Sequence, residues 1–538
     1  IINHQSKIKA NNVRIRSENI SNEDTRIDVN KDLILDAQEV KNQQSKIFAK
    51  HIRFDSGNIY NRDTNIHADG DLFLRVHNSI NNRDSSLYGY DVTVLSDSIT
   101  NTKSTLVGAL SLFGRTRNVN NNNSSIISKK IDIDSWRMTN IVTSFDSEDI
   151  RLFADHLYNK GSSISGAQIF MRGQQIFNIN SLLSARYMLG IVGKNIVNTS
   201  SKVESMKDSI TIIGERIDNR NAIIEAGGSI LLTGGDGNDN IGALENLNNE
   251  HANISAYHQI YFDSTGSVNN RFAKLSSRHG LIINAVNLDN SYADIYGYAG
   301  EHRLQADYIN NTSAKILVEN LYINAKVINN DNSSLTARGM LIKADKLVGN
   351  GYLKSYNDLL LDLQSSFINQ SEIEAGGELT ISTLGNIENY GRIEARNLTL
   401  SGLTITNDKN AKLNANAINI VGGSLNNYGN IRGEMIDIQL AKALNNYENG
   451  QLEGIKVNIK ADEVNNFAAS EYKEYRPTLF AEDYLNIEAT KVNNYQDALI
   501  HSNNILKIKA KTLNNYYGVI LGQNETSLIV DEFNDYVR

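Results

Sequence analysis

Few side chains in this sequence are placed to do chemistry. The 538 residues include no Cys, 10 His and one Trp, which excludes a thiolate nucleophile, a thiolate metal site and a disulfide frame. The spacings H-E-x-x-H, G-x-S-x-G, G-x-x-x-x-G-K-[ST] and G-x-G-x-x-G are absent. Asp155 and His156 are neighbours, and neighbours in a strand point to opposite faces, so they could cooperate only across a bend. The carboxylates Asp132, Asp134, Asp146, Glu148 and Asp149 gather around Trp136. Two of them on one face could perform glycosidase chemistry, whereas charges at outward positions of successive segments read as a solvated acidic face. Residues Gly234 to Ile241, GGDGNDNI, match the calcium nonapeptide G-G-x-G-x-D-x-U-x, with Asp236 and Asp239 as ligands. Such a site borrows ligands from a following copy, and none follows, so the stretch reads first as a Gly/Asn loop, and no metal or other cofactor is implied.

What would have to position any of these residues is a repeat. An Asn recurs after an apolar run at Asn22, Asn42, Asn61, Asn82, Asn101, Asn121, Asn140, Asn159, Asn178 and Asn198. The series continues at Asn270, Asn290, Asn311, Asn330, Asn350, Asn369, Asn389, Asn407, Asn427, Asn446 and Asn466, and resumes at Asn494, Asn515 and Asn534. A unit of about 20 residues, repeated roughly 27 times, therefore accounts for the chain. Within a unit such as SEIEAGGELTISTLGNIEN, apolar residues alternate in three short runs: Ile373 and Ala375, Leu379 and Ile381, then Ile387 ahead of Asn389. Period two means strands, and the Gly, Asn, Asp and Ser between the runs supply turns.

Three short strands cannot close a core alone, so each unit must stack on the next with its strands paired in parallel. That predicts an all-β fold, a parallel β-helix over residues 1–538 with no second globular domain. At about 4.8 Å per coil it would be a rod on the order of 130 Å long. A leucine-rich repeat is the rival at this period, but the second and third runs leave no room for its longer connection. The Asn series, with Asn389, Asn427, Asn446, Asn466, Asn494 and Asn515 as its clearest members, is predicted to lie inside as a ladder of amides bonded coil to coil. Excursions are expected near residues 234–246 and 467–479, where the spacing widens. The second, FAASEYKEYRPT, carries Tyr472, Tyr475, Arg476 and the only proline, Pro477. It is either a tolerated excursion or a receptor-contact loop. Tyr390, Tyr428, Tyr447, Phe467, Tyr495 and Tyr516 each follow a ladder Asn. They would stack along one edge, and Tyr447 and Tyr495 are candidate receptor contacts if that edge is exposed.

The units NNYGNIRGEMIDIQ, GGELTISTLGNIENYGRIEARNLTLSG and NNSSLTARGMLIKADKLVGN resemble the haemagglutinin repeats of filamentous haemagglutinin and of contact-dependent inhibition (CdiA-type) exoproteins. The resemblance covers nearly the whole chain. It implies a right-handed β-helical fibre exported by bacterial two-partner secretion through an outer-membrane β-barrel transporter. The expected place is then secreted or at the bacterial cell surface. Neither an N-P-N-G secretion signature nor a C-terminal toxin is found, so what remains is shaft, or a recognition segment built like shaft. The 53 Lys+Arg against 61 Asp+Glu leave −8, with no field for nucleic acid, and no apolar run spans a membrane. The expected function is therefore a non-enzymatic shaft or adhesive segment that projects a recognition or toxin module and can grip a receptor protein or glycan on another cell. The alternative is a β-helical polysaccharide depolymerase, of lyase, glycosidase or tailspike type.

Overall fold

The computed structural model describes residues 1–235, 240–447, 449–468 and 478–536. The chain divides into two compact units, Ile1–Arg278 with Ile283–Ala285, and His279–Ile282 with Val286–Arg538. Both are parallel β-solenoids with coils of about 20 residues, and no helix occurs among the described residues. Each strand pairs in parallel with its equivalent one coil on. Thus Ile27 faces Ile47, and Leu33 faces Ile52 in the first unit. In the second, Ile393 faces Leu413 and Leu398 faces Ile418.

The alternation seen in the sequence becomes an inside and an outside. In Arg26–Val29, Ile27 and Val29 are buried while Arg26 and Asp28 look outward. Leu33, Leu35 and Val40 are fully buried on the same coil. Because successive side chains of a strand point to opposite faces, one apolar residue in two suffices to fill the bore. Branched aliphatics dominate it because they pack well against their equivalents above and below.

The three-run reading is literal at Tyr352–Ser355, Leu359–Leu363 and Phe367–Asn369 of the second unit and in part of the first unit. There Lys202–Ser205, Ile210–Ile213 and Arg216–Asp218 are separate strands, each paired with its own successor. Elsewhere the strand bends through the corner without losing its ladder, as in the 17-residue Ser86–Thr102. Its corners survive as register shifts, between Gly89 and Asp91 against the following coil and between Leu95 and Ser98 against the preceding one. Parallel pairing to the neighbouring coils satisfies the backbone on both sides, so a bend need not interrupt it.

Candidate functional site

The repeating Asn closes the sharpest corner of each coil. In the first unit Asn3, Asn22, Asn42, Asn61 and Asn82 begin a series in which each Nδ2 donates to the Oδ1 of the next coil's Asn at 2.7–2.8 Å. The series runs on through Asn198, Asn219, Asn249 and Asn270, at 2.9 Å even where the chain between Asn219 and Asn249 is 30 residues long. Two residues after the Asn, the backbone turns left-handed, with φ of 45° at Asp24, 50° at Gln44 and 51° at Asp63. A non-Gly residue there is costly unless the surrounding structure holds it.

The third residue after the Asn supplies that hold. From Thr25 to Ser201 it is Ser or Thr, and its hydroxyl works in two directions. Ser162 Oγ donates to the carbonyl of Asn140 one coil back, at 3.0 Å, and accepts the N–H of Thr143, at 3.2 Å. From Ala222 to Ala314 that place is held by Ala and the hydroxyl is gone. The N–H then returns to its own corner, Ala222 to the carbonyl of Asn219 and Ala252 to that of Asn249, both at 2.9 Å. Ser201, whose successor is Ala222, has already made this change, bonding the Asn198 carbonyl at 3.2 Å.

In the second unit Asn369, Asn389, Asn407, Asn427, Asn446, Asn466, Asn494 and Asn515 form one amide series at 2.7–3.0 Å. Asp535 accepts from Asn515 at 2.8 Å. Asn350 does not belong to the ladder, contrary to its place in the sequence spacing. The register that pairs Asn329 with Val348 puts Gly349 opposite Asn330, and Asn350 is an exposed residue accepting the Asn332 N–H at 2.7 Å. The neighbouring rung is strained as well. Ser333 Oγ takes the Asn330 Oδ1 at 2.5 Å, and the buried Asn311 Nδ2 is left without a partner.

Doubled Asn residues build a second ladder that the spacing alone does not reveal. Asn445, Asn465, Asn493, Asn514 and Asn534 each donate back to the preceding coil, at 2.7–3.0 Å. The inner ladder donates forward, so the two rows of amide dipoles oppose one another and their fields largely cancel. Beside them Tyr428, Tyr447, Phe467, Tyr495, Tyr516 and Tyr536 stack in a column with centroids 4.4–5.8 Å apart. Tyr447 and Tyr495 are partly buried, and that burial raises both phenol pKa values, keeping the hydroxyls protonated. The ring faces are taken up by each other, so a ligand from solvent meets edges and hydroxyls. Tyr390 stands apart from this column, because the coil between it and Tyr428 carries Asp408 there; its hydroxyl bonds Glu388 at 3.0 Å.

The carboxylates around Trp136 do not converge. Asp146 and Glu148 line a shallow groove with Gly108, Ser128 and Arg186 at one corner, whereas Trp136 packs edge-on against His156 at another, 5.2 Å between centroids. Asp134 and Asp149 lie near Arg115 and Arg151. His156 Nδ1 meets Gln175 at 3.1 Å, so Asp155 and His156 form no pair.

Three carboxyls among the described residues have clearly shifted pKa values, all downward. Arg75 holds Asp55 ionised against partial burial. Burial pushes Glu204 up, but the Lys202 ammonium at 2.5 Å and the Ser184 hydroxyl at 2.6 Å more than offset it. Lys354 holds Glu374 down at 2.7 Å.

The first excursion is closed at its neck by Gly235 N–H to the Gly242 carbonyl at 2.9 Å. Glu215 anchors it by accepting the Gly242 N–H at 2.9 Å, and Ile241 and Leu244 are buried under it. Asp236 and Asp239 lie outside the described residues, as do Tyr472, Tyr475 and Arg476 of the second excursion. Among the described residues no group of three or more His, Asp or Glu is arranged to hold a metal, and no helix is long and apolar enough to cross a membrane. In comparisons with known proteins, no family model, no curated protein and no solved structure matches this chain.

Proposed function

We propose that this chain is a non-enzymatic shaft or adhesive segment of a bacterial two-partner-secreted exoprotein of the filamentous haemagglutinin or contact-dependent inhibition type. In this reading it leaves the cell through an outer-membrane β-barrel transporter and is displayed at the surface, where it projects a recognition or toxin module. It also has surface to grip a receptor protein or glycan. The observation that carries the reading is how the polar side chains are used. Coil after coil, amides, hydroxyls and aromatic rings are committed to their own equivalents one coil away, as the Asn427 to Asn515 ladder and its tyrosine column show. Outward carboxylates such as Asp55, Glu204 and Glu374 are tied to Lys or Arg. Groups spent on holding a repeat together serve reach and persistence, and leave little for a reaction centre.

A pull-down of target-cell envelope with the purified chain, beside a variant lacking residues 467–478, tests the reading. Capture that depends on those residues supports a contact loop there, and capture that survives their loss moves recognition to the coils. Turnover of a capsular polysaccharide or lipopolysaccharide by the purified chain would overturn the proposal in favour of a depolymerase.

A further inference from the structure

His302 stands where the fold elsewhere puts an aliphatic side chain. It is 1% exposed, on the strand Asp294–Asn310, and its register partner is Leu321, followed by Met340, Leu359 and Leu379. The same inward place in the first unit holds Leu33, Ile52 and Leu72. Neither ring nitrogen of His302 makes a well-formed hydrogen bond, although the Asn320 and Gly300 backbone lies near enough to favour its charged form, and buried polar atoms without good partners are costly.

Local irregularity admits the ring. Pairing jumps from Gly297 opposite Val318 to Glu301 opposite Asn320, so Tyr298, Ala299 and Gly300 bulge out, with Tyr298 74% exposed. Gly300 has φ +81, and a Cβ there would collide with the His279 carbonyl. A Cβ on Gly297 would collide with His302 Nε2, so the imidazole fills the space that any side chain at 297 would need. Gly297 thus makes room for the buried ring, while Gly300 lets the bulge pass the His279 backbone.

We infer that residues 297–302 form an acid-operated latch: a proton taken up by His302 cannot be held in the aliphatic column, so the ring leaves the core and the Tyr298–Gly300 bulge opens. The charged groups around it offer no rescue. Glu319 of the next coil is paired with Arg338 at 3.0 Å, and Glu301 with Arg303 at 3.5 Å. The preceding segment of the same unit presents His279, an imidazole and not a carboxylate.

Burial pushes the imidazole below its ordinary value, against smaller opposing effects of the Asn320 and Gly300 backbone and of Glu319. The closed latch is therefore neutral, while the open one protonates near pH 6.5. Closure is at full strength above that pH. It weakens by up to about tenfold per pH unit below it, until the closed state also protonates.

Hydrogen exchange of the whole chain, corrected for intrinsic rates, tests this at about pH 7.5 and pH 5. The segment 294–304 should exchange roughly tenfold faster in acid, and His302→Leu should abolish that excess, since Leu matches the neighbouring coils. Equal acid opening in His302→Leu, or none in the parent, would overturn the latch. Titration of the His302 imidazole by NMR in the parent is independent of whether the variant folds. A pKa below the ordinary imidazole value supports the latch, and one at or above it sinks it.

Discussion

The coils from Thr25 to Ser201 and those from Asn426 to Tyr536 close the same corner by different means. Both keep one buried Asn per coil, except the last, where Asp535 takes its place, and each is bonded to the next at 2.7–2.9 Å. In the first region the support is a hydroxyl three residues on, which at most coils bonds the carbonyl of the coil before, as Ser45 does with Asn22 and Ser181 with Asn159, and at Ser85, Ser104 and Ser124 bonds the carbonyl two residues back. In the second the support is lateral, an opposed amide row and a column of rings. The corner amide is the shared requirement, since a buried amide must find donors and acceptors and its own equivalent always lies one coil away. The support is interchangeable, because the backbone N–H at the corner has a second acceptor in its own turn, as Ala222 demonstrates.

That difference can be broken most severely at the inner amide. Asn446→Ala leaves the Nδ2 of Asn427 with only the Gln451 carbonyl at 3.2 Å and strands the Oδ1 of Asn466, and should cost about 1–3 kcal/mol in chemical unfolding. A melt indistinguishable from the parent would mean that the ladder is not a source of stability. Next comes the gap. Gly349→Asn looks like a repair of the missing rung, but Gly349 sits at φ +105, and a Cβ there would lie 2.5 Å from the Asp331 nitrogen. The variant should lose about 1–3 kcal/mol instead of gaining a hydrogen bond. Increased stability would show that the corner can relax to accept an amide.

Smaller effects separate the two supports. Phe467→Leu removes a ring stacked on both Tyr447 and Tyr495, at 5.8 and 4.9 Å, and should cost about 0.5–1.5 kcal/mol beyond the lost area. Ser162→Ala should cost less, under about 1 kcal/mol, since the Thr143 N–H can turn to the Asn140 carbonyl as the alanine coils do. A loss as large as that of Asn446→Ala would mean that the hydroxyl row cannot be replaced by the local turn.

Much of this molecule was legible before any coordinate. The period of the Asn residues and the alternation of Ile373, Ala375, Leu379 and Ile381 suffice for a parallel solenoid, because stacking is the only way such short strands bury an apolar face. The inner ladder follows too, since a polar residue that recurs amid apolar ones must be paired within. Spacing misled at Asn350, where one residue of slip puts Gly349 at the corner, and a single step of register moves every side chain to the other face. The opposed direction of the second amide row, the exhaustion of the tyrosine faces on each other, and the separation of Asp146 and Glu148 from Trp136 depend on which corner each residue reaches. His302 shows the limit most plainly. In sequence it is one of 10 His, and only the bulge that turns it inward, over a glycine with no side chain to oppose it, makes it a buried base. Periodicity determines which residues repeat and which face inward, because that depends on local geometry alone. Where the coil bends, slips or bulges is settled by contacts between residues about 20 positions apart, and the tertiary structure alone decides those.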